Sequence, residues 1–253
     1  MIELNSVSFS YGKKTVFRDL SVSFEPGTFY GIIGPNGCGK TTLIRLLCRL
    51  ERPSKGAVSL NGAPLNSYGR KALAREVSLL PQFKTLPSVS AEELVSLGRY
   101  PHLGGFHALS QTDRDAVKEA LQRAEASDLA QRNVATLSGG ERQRVCTALL
   151  LAQNTPTVLL DEPTTYLDIS HRFSLLQRLR ELRTEGRCVI AVLHDLSLAL
   201  RFCDRLLVLD GGTVKGFCTP EETVSSGVLD EVFSVRCLRA EADGTAEYVF
   251  VPK

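Results

Sequence analysis

Hydrophobic and polar positions alternate at the start of the chain. Residues 2–9 (IELNSVSF) and 15–24 (TVFRDLSVSF) carry apolar side chains at about every second position, the period of a strand with one buried face. Residues 28–34 (TFYGIIG) form a short apolar run, which is typical of a buried strand. Residues 39–50 (GKTTLIRLLCRL) then have apolar positions at helical spacing. The chain therefore begins with two antiparallel strands, a buried strand and a helix.

The middle of the chain changes to a helical pattern. Strand patterns at residues 56–62 and 76–82 are followed, from roughly residue 83 to residue 156, by mainly helical spacing. The helical segments are SAEELVSLG (90–98), TDRDAVKEALQRA (112–124) and GERQRVCTALLLAQ (140–153), with RYPHLGGFHALS (99–110) as a connecting loop. After residue 156, strand and helix patterns alternate almost to the end of the sequence.

This order of elements predicts an α/β fold. Alternating strands and helices imply a mostly parallel sheet covered by helices. We expect one domain over residues 1–253, with its α/β core at 1–83 and 157–253. An antiparallel β subdomain lies near the N-terminal end of that core, and an α-helical subdomain is inserted at residues 84–156.

Composition excludes several classes of protein. The net charge is +2, aromatic residues make up 7% of the chain and there is no Trp, so we expect no nucleic acid among its partners. No stretch approaches the roughly 20 consecutive apolar residues that span a membrane. The seven cysteines are dispersed without a CxxC pair, which is typical of reduced thiols inside a cell.

One glycine-rich segment predicts phosphate binding. Residues 34–41 (GPNGCGKT) fit the pattern G-x-x-x-x-G-K-[ST] between a strand and a helix, and we call them the P-loop. Glycines permit a tight loop whose backbone N–H groups point at phosphate oxygens, next to a helix N-terminus. Lys40 supplies charge for the β- and γ-phosphates, and the Thr41 hydroxyl can bind Mg²⁺.

A carboxylate pair follows a later strand. Asp161 ends the apolar run of TVLLDEP, where its side chain faces the same sheet edge as the P-loop. Asp161 is a candidate Mg²⁺ ligand and Glu162 a candidate base for the attacking water. In isolation, Asp-Glu-Pro would be a polar strand end before a turn, and it is the P-loop upstream that favours the chemical interpretation.

A second glycine-rich helix start lies at residues 137–143 (LSGGERQ), which we call the signature. Ser138 and Glu141 have the spacing of a capping box, a purely structural device. The capping box does not account for Gly139 and Gly140, because two glycines weaken a helix start unless something approaches the backbone closely. Anion binding at this helix start is the alternative.

Taken together, these segments resemble the ABC-type ATPases, a P-loop NTPase family, over essentially the whole chain. The signature closely matches that of the family, and further motifs follow the family's order. By this resemblance Tyr11 stacks on adenine, Gln82 is the Q-loop residue, Asp168 belongs to the D-loop and His194 is the switch histidine. The other histidines, His102, His107 and His171, lack metal-ligand spacing, and we expect them at the surface.

The resemblance implies a head-to-tail dimer in which each ATP lies between one P-loop and the partner's signature. One copy of each motif then implies a homodimer, or pairing with a similar subunit. The implied catalytic residues are Glu162, His194, Gln82 and Lys40, and the implied Mg²⁺ ligands are Thr41, Gln82 and Asp161. The implied ATP-binding residues are Tyr11, Gly34, Pro35, Asn36, Gly37, Cys38, Gly39, Lys40, Thr41, Thr42, Ser138, Gly139, Gly140 and Asp168.

Three classes of ABC ATPase are candidates for this chain: transporter subunits, translation factors and repair ATPases. Translation factors of the family usually carry two cassettes with a charged linker, and repair ATPases carry a long coiled coil between P-loop and signature. Neither feature is present here, which favours the ATPase subunit of a membrane transporter. The segments at 97–104 (LGRYPHLG) and 163–172 (PTTYLDISHR) look like those of importers for iron–siderophores, haem and cobalamin. Transport of another substrate is the alternative.

As such a subunit, the chain is expected to lie at the cytoplasmic face of the cell membrane. Its partners would be separate permease subunits and, indirectly, a substrate-binding protein. By resemblance, the cleft between the core and the helical insertion receives a short cytoplasmic helix of the permease, and this cleft is bordered by the Gln82 segment and residues 83–105. The transported substrate need not touch this chain, so its sequence does not name that substrate.

Overall fold

The computed structural model describes residues 1–81, 87–104, 108–165, 167–242 and 245–253. The strands are β1 (Ile2–Tyr11), β2 (Lys14–Phe24), β3 (Phe29–Ile33), β4 (Lys55–Leu60), β5 (Ala63–Pro64), β6 (Val77–Leu80), β7 (Thr157–Asp161), β8 (Cys188–Val192), β9 (Arg205–Asp210), β10 (Thr213–Cys218), β11 (Val235–Ala242) and β12 (Thr245–Pro252).

From β3 onward, helices lie between the strands along the chain. The α-helices are α1 (Lys40–Leu47), α2 (Arg70–Glu76), α3 (Ala91–Ser96), α4 (Gln111–Arg123), α5 (Gly139–Gln153), α6 (Ile169–Thr184), α7 (Leu196–Phe202), α8 (Pro220–Ser225) and α9 (Val228–Phe233). Short 3-10 helices lie at Leu65–Ser67, Leu97–His102, Ser127–Leu129 and Val134–Thr136. Within the described ranges, no helix is long and apolar enough to span a bilayer.

The central sheet has the order β10-β9-β3-β8-β7-β6. Its strands β6, β7, β8, β3 and β9 pair in parallel, and only the edge strand β10 pairs in antiparallel fashion with β9. A second sheet, β2-β1-β4-β5, is antiparallel throughout. The predicted α/β class, with a mostly parallel sheet and an antiparallel β region near the N-terminus, is confirmed.

Alternation along β3 distributes its side chains between two cores. Tyr30 and Ile32 join the cluster that fills the space around α1 and the antiparallel sheet. Phe29 and Ile33 point to the opposite face and join the cluster beneath α6 and α7. All five residues of β3 are buried, as expected for a central parallel strand covered on both faces.

The helical middle of the chain has a hydrophobic cluster of its own. This third cluster is drawn from residues between Ala91 and Ala152, including side chains of α3, α4 and α5. Helix α5 is shared, because Val145 and Ala148 face the third cluster while Cys146 and Leu150 face the core beneath the sheet. The helix that begins at the signature is therefore packed on both sides.

Several short elements differ from the sequence prediction. The segment interpreted as a loop over residues 99–110 includes part of the 3-10 helix Leu97–His102. That helix is held by tertiary contacts: Arg75 donates to the Pro101 carbonyl at 2.8 Å, and Lys71 donates to the Leu103 carbonyl at 3.1 Å. Elements of six or seven residues depend on such contacts more than on local pattern, so periodicity alone does not reveal them.

Candidate functional site

The P-loop leaves the carboxyl end of β3 and leads into α1. Two of its glycines are required by close contacts rather than by the phosphate. A Cβ atom on Gly34 would lie 2.1 Å from the Leu209 carbonyl oxygen, and one on Gly39 would lie 2.6 Å from Cζ of Phe17. Gly39 also has φ of +113°, which strongly favours glycine. The loop is thus pressed against β9 and β2, and its shape is fixed by the fold.

Lys40 is held inside this loop. Lys40 is 6% exposed, and its ammonium group donates hydrogen bonds to the carbonyl oxygens of Gly34 at 2.7 Å and Pro35 at 3.0 Å. A buried cation needs partners of this kind, because desolvation of an unpaired charge is costly. The side chain therefore already lies along the loop whose N–H groups are expected to bind phosphate.

The cavity beside the P-loop has a volume of about 260 Å³. It is lined by Tyr11, Lys14, Val16, Asn36, Gly37, Gly39, Lys40, Thr41, Thr42 and Glu162. Tyr11 is 45% exposed, and its hydroxyl donates to Glu51 at 3.2 Å. Lys14 and Val16 were missed by the sequence analysis, although Lys14 is the direct cross-strand partner of Tyr11 in the β1–β2 hairpin. Predicting that hairpin's register would have found Lys14.

Cys38 lies in the P-loop but does not line this cavity. Its side chain is 6% exposed and belongs to the core cluster around α1. Burial raises the pKa of the Cys38 thiol, and the nearby charge of Lys40 opposes this shift only in part. Only the backbone of Cys38 is therefore placed to serve a ligand in the cavity.

Asp161 and Thr41 meet at the end of β7. The Thr41 hydroxyl donates to Asp161 Oδ1 at 3.1 Å, although the two residues are 120 positions apart. Burial raises the pKa of the Asp161 carboxyl, an effect that the Thr41 hydrogen bond partly offsets. A hydroxyl and a carboxylate are the ligands that Mg²⁺ takes beside nucleotide phosphates, so this pair fits the predicted metal. Among the described residues, no group of three or more His, Cys, Asp or Glu side chains that could hold a metal ion was found.

Glu162 and His194 are brought together by strand pairing. Asp161 of β7 is in register with Val192 of β8, so the residues that follow both strands lie at the same sheet edge. His194 Nε2 lies 2.5 Å from Glu162 Oε1, and Thr165 donates to the other oxygen of Glu162 at 3.5 Å. Glu162 has φ of +53°, an uncommon conformation for a residue other than glycine, and such strain is frequent at functional sites. The structure thus places both predicted catalytic side chains beside the cavity wall.

The signature begins α5 with the capping box that the spacing predicts. The Ser138 N–H donates to the Glu141 carboxylate at 2.8 Å, and the Glu141 N–H donates to the Ser138 hydroxyl at 3.4 Å. The Ser138 backbone and side-chain hydrogen bonds, with the Arg132 guanidinium, lower the pKa of Glu141 to about 2. The structural interpretation of S-x-x-E is therefore confirmed.

Capping still does not explain Gly140. The three atoms nearest to a Cβ atom added there belong to the His171 ring, at an ordinary 3.6–3.7 Å, so close contacts do not require glycine at this position. No residue of α5 lines the cavity at the P-loop of the same chain. The start of α5 is therefore separate from the cavity at the P-loop of its own chain.

Asp168 caps the next long helix, α6. Its Oδ1 accepts from the His171 N–H at 2.9 Å and from the Ser170 hydroxyl at 2.9 Å, and His171 Nδ1 lies 2.7 Å away. These hydrogen bonds lower the pKa of Asp168 to about 2, and the bond from the His171 backbone N–H has the largest effect. His171 is half exposed, as predicted, but sequence spacing gave no sign of these contacts. Gln82, the remaining predicted site residue, lies outside the described residues.

Comparison with known families and relatives agrees with this arrangement. The family model described as ABC transporter matches residues 17–165. The ferric enterobactin transport ATP-binding protein FepC of Escherichia coli (strain K12) is 44% identical over 234 residues, which cover 92% of this chain and 86% of FepC. The hemin import ATP-binding protein HmuV of Pseudomonas entomophila (strain L48) is 40% identical over 244 residues, which cover 94% of each chain.

Solved structures share the fold over 87% to 100% of this chain. An ABC transporter described as metal-chelate type, in an inward-facing conformation, superposes with a TM-score of 0.86 at 26% identity, covering 100% of this chain and 96% of that one. The dimeric bacterial ABC transporter cassette MJ0796 superposes with a TM-score of 0.79 at 30% identity, covering 87% and 99%. The same cassette is also known as a post-hydrolysis dimer bound to ADP and Pi, with a TM-score of 0.78 at 29% identity, covering 87% and 99%.

Proposed function

Since the chain belongs to the ABC transporter family, we propose that it is the ATP-hydrolysing subunit of a membrane importer for iron–siderophores, haem or related metal chelates. The observation that carries this proposal is the similarity to ferric enterobactin and hemin import subunits over more than nine-tenths of the chain. By the family resemblance described above, cobalamin belongs to the same class of substrates as iron–siderophores and haem. Specificity itself would lie in the permease and the binding protein.

The nucleotide would lie in the cavity beside the P-loop. Tyr11 stacks on adenine, Lys14 and Val16 line the side of the site, and the P-loop N–H groups bind the phosphates. Lys40 exchanges its bonds to the Gly34 and Pro35 carbonyls for the β- and γ-phosphates. Thr41 and Asp161, together with Gln82, would hold Mg²⁺, which neutralises phosphate charge when bound.

Hydrolysis would use the pair at the end of β7 and β8. Glu162 accepts a proton from the attacking water, and its strained backbone directs the carboxylate toward the cavity that it lines. His194 holds Glu162 in place through the 2.5 Å contact and reaches the γ-phosphate. Hydrolysis at the site of one chain therefore depends on side chains at adjacent strand ends.

The complete site would need a second copy of the chain, paired head to tail. Ser138, Gly139 and Gly140 would bind the γ-phosphate of the ATP held by the partner's P-loop. The separation of α5 from the chain's own P-loop cavity supports this arrangement, and dimeric cassettes of the same fold are known. Asp168 would lie at the same interface.

Coupling to transport would pass through the helical subdomain, residues 84–156. Its separate hydrophobic cluster supports treating it as a unit. Leu97 is 49% exposed and Tyr100 is 62% exposed on the 3-10 helix Leu97–His102, where a short permease helix would dock. The chain would thus act at the cytoplasmic face of the membrane as a peripheral subunit, with Gln82 relaying the nucleotide state.

Dimer-dependent ATP hydrolysis tests this proposal. Specific activity with Mg²⁺ and ATP should rise with protein concentration in the wild type and be abolished by Ser138→Arg. Ser110→Arg is the matched control, because Ser110 caps α4 with the same kind of capping box but lies outside the proposed site. Activity that is independent of concentration and unchanged by Ser138→Arg would reduce the signature to a capped helix and contradict the proposal.

A further inference from the structure

The aromatic side chain at the nucleotide cavity is held by a residue that does not line that cavity. Tyr11, the last residue of β1, is 45% exposed and lines the cavity beside the P-loop. Its hydroxyl donates to Glu51 Oε1 at 3.2 Å. The Phe9 ring meets the Tyr11 ring edge to face, with 4.8 Å between the ring centroids. Two contacts therefore restrain a ring that stands half exposed at a strand end.

Glu51 is itself anchored to the helix that follows the P-loop. The Arg45 guanidinium of α1 lies 3.1 Å from the same Glu51 oxygen that accepts the Tyr11 hydroxyl. The Glu51 N–H donates to the Arg45 carbonyl, also at 3.1 Å. Three residues later, the N–H and the hydroxyl of Ser54 both donate to the Ser8 carbonyl of β1 at 2.8 Å. The segment that carries Glu51 is thus attached both to α1 and to the strand that ends at Tyr11.

We propose that Glu51 is a positioning residue that holds the Tyr11 ring in the orientation on which adenine stacks. This inference rests on the proposed function, in which Tyr11 receives the base. Glu51 does not line the cavity, so it acts on the nucleotide through Tyr11. Because the Tyr11 hydroxyl already donates to Glu51, the ring is the part of Tyr11 that serves the base.

The physical benefit of this contact is preorganisation. A half-exposed side chain without restraints loses rotamer freedom when a ligand stacks on it, whereas a ring that is already held loses less. A hydrogen bond to a carboxylate is stronger than one between neutral groups, which suits it to hold an exposed ring. Glu51 should therefore strengthen the binding of ATP through its base and leave the phosphate contacts unchanged.

Inorganic tripolyphosphate separates the two parts of the nucleotide, because it offers phosphates to the P-loop without a base. Glu51→Ala should raise the KM for ATP by roughly 3- to 10-fold at saturating protein concentration. The kcat and the inhibition constant of tripolyphosphate against ATP should stay at their wild-type values. The melting temperature of the ATP-free protein should stay within about 2 °C of wild type.

Two substitutions of Tyr11 show whether the effect passes through the ring. Tyr11→Phe keeps the ring and removes the hydroxyl, so it should raise the KM for ATP as Glu51→Ala does, and combining the two should add nothing. Tyr11→Ala should raise the KM further than either. Glu3→Ala is the matched control, because Glu3 accepts the Ser59 hydroxyl at 3.3 Å near the other end of β1 and does not line the cavity. It should behave like the wild type.

Three results overturn the inference while the proposed function stands, provided that Tyr11→Ala weakens ATP binding. The first is a wild-type KM for ATP in Glu51→Ala. The second is an equal loss of ATP and tripolyphosphate binding, since Glu51 would then act on the cavity as a whole. The third is an additive effect of Glu51→Ala and Tyr11→Phe. If Tyr11→Ala leaves ATP binding unchanged, the position of adenine in the proposed function is wrong, and the role of Glu51 falls with it.

Discussion

Single residues at the P-loop are held in positions that favour chemistry over stability. Asp161 is a buried carboxylate that accepts a hydrogen bond from the Thr41 hydroxyl, and Glu162 adopts a left-handed backbone conformation. The Lys40 ammonium group donates hydrogen bonds to two carbonyl oxygens of its own loop. Each of these arrangements is less favourable for the isolated protein than an apolar or relaxed alternative, and each places a charged group where ATP would use it.

Asp161→Asn should stabilise the nucleotide-free protein while abolishing Mg²⁺-dependent hydrolysis. Burial raises the pKa of the Asp161 carboxyl in the folded state above its unfolded value, so the ionised form destabilises the fold at neutral pH. At pH 7 the melting temperature of the variant should rise by a few degrees. The gain should vanish below about pH 4, where the carboxyl is protonated in both states. Thermal unfolding at the two pH values measures this.

Asp204→Asn provides the contrast, because Asp204 pairs with Arg183 at 2.8 Å and accepts the Phe29 N–H at 2.8 Å. That substitution weakens existing contacts and should lower the melting temperature at pH 7. An Asp161→Asn protein that melts at or below the wild-type temperature at pH 7 would show that the carboxylate is not a cost to the fold.

Among the elements, α5 has a capped helix start and, in the same turn, two glycines whose backbone carries no side chain. Its capping box joins Ser138 and Glu141, as the boxes of α3, α4 and α8 do with their own residues. What distinguishes α5 is the glycine pair inside the first turn, at least one of which the fold does not need. A capped helix start and a binding surface are therefore compatible in the same turn.

Glu141→Gln should preserve ATPase activity and weaken the fold in a pH-dependent way. The pKa of Glu141 is lowered from 4.5 to about 2, so its ionised form stabilises the folded state at pH values above about 4.5. That contribution is lost as the pH falls from 4.5 toward 2. The difference in melting temperature between wild type and variant should therefore be present at pH 7 and shrink across this window.

Glu93→Gln, in the capping box of α3, should show a shift of the same sign, because hydrogen bonds from Ser90 also lower the pKa of Glu93. A pH-independent difference for Glu141→Gln would mean that its charge is not what stabilises the helix start. Loss of ATPase activity in Glu141→Gln would place the carboxylate itself in the binding surface.

Local sequence signals were sufficient for elements whose shape depends on particular residue types. The P-loop, the end of β7 and the start of α5 need glycines, a carboxylate and a capping pair at fixed spacing, and the sequence shows them directly. Lys14 and His171 carry no such signal, since their positions follow from hairpin register and from the approach of α6 to α5. The same limit applies to the short helices α2 and α9, which depend on tertiary contacts.

At the scale of the whole molecule, the helical region joins the core at α5 and through ion pairs. Arg123 of α4 pairs with Glu185 beyond the end of α6, and Glu125 pairs with Arg178 of α6. These contacts are at the surface, and each is worth little in water. The helical region is thus attached by one shared helix and by weak polar contacts, as the coupling proposed above would require.

Glu162→Gln should bind ATP and accumulate as a dimer. The amide cannot accept the proton of the attacking water, whereas the P-loop contacts of the nucleotide are unchanged. Size-exclusion chromatography with light scattering should show the variant as a monomer without ATP and as a dimer with ATP. The wild type should stay largely monomeric, because hydrolysis separates the copies. Hydrolysis by Glu162→Gln at the wild-type rate would remove Glu162 as the base.

The position of β3 also bears on how the protein is made. Both neighbours of β3, β8 and β9, come from the last third of the chain, and the P-loop glycine Gly34 rests on the Leu209 carbonyl. A ribosome finishes the P-loop early but needs about ten to thirty seconds more to reach Leu209 at ordinary elongation rates. During that interval the nascent chain carries an ATP-binding motif without the surface that shapes it. We therefore expect newly made copies to bind ATP and to pair only after the C-terminal strands have been added.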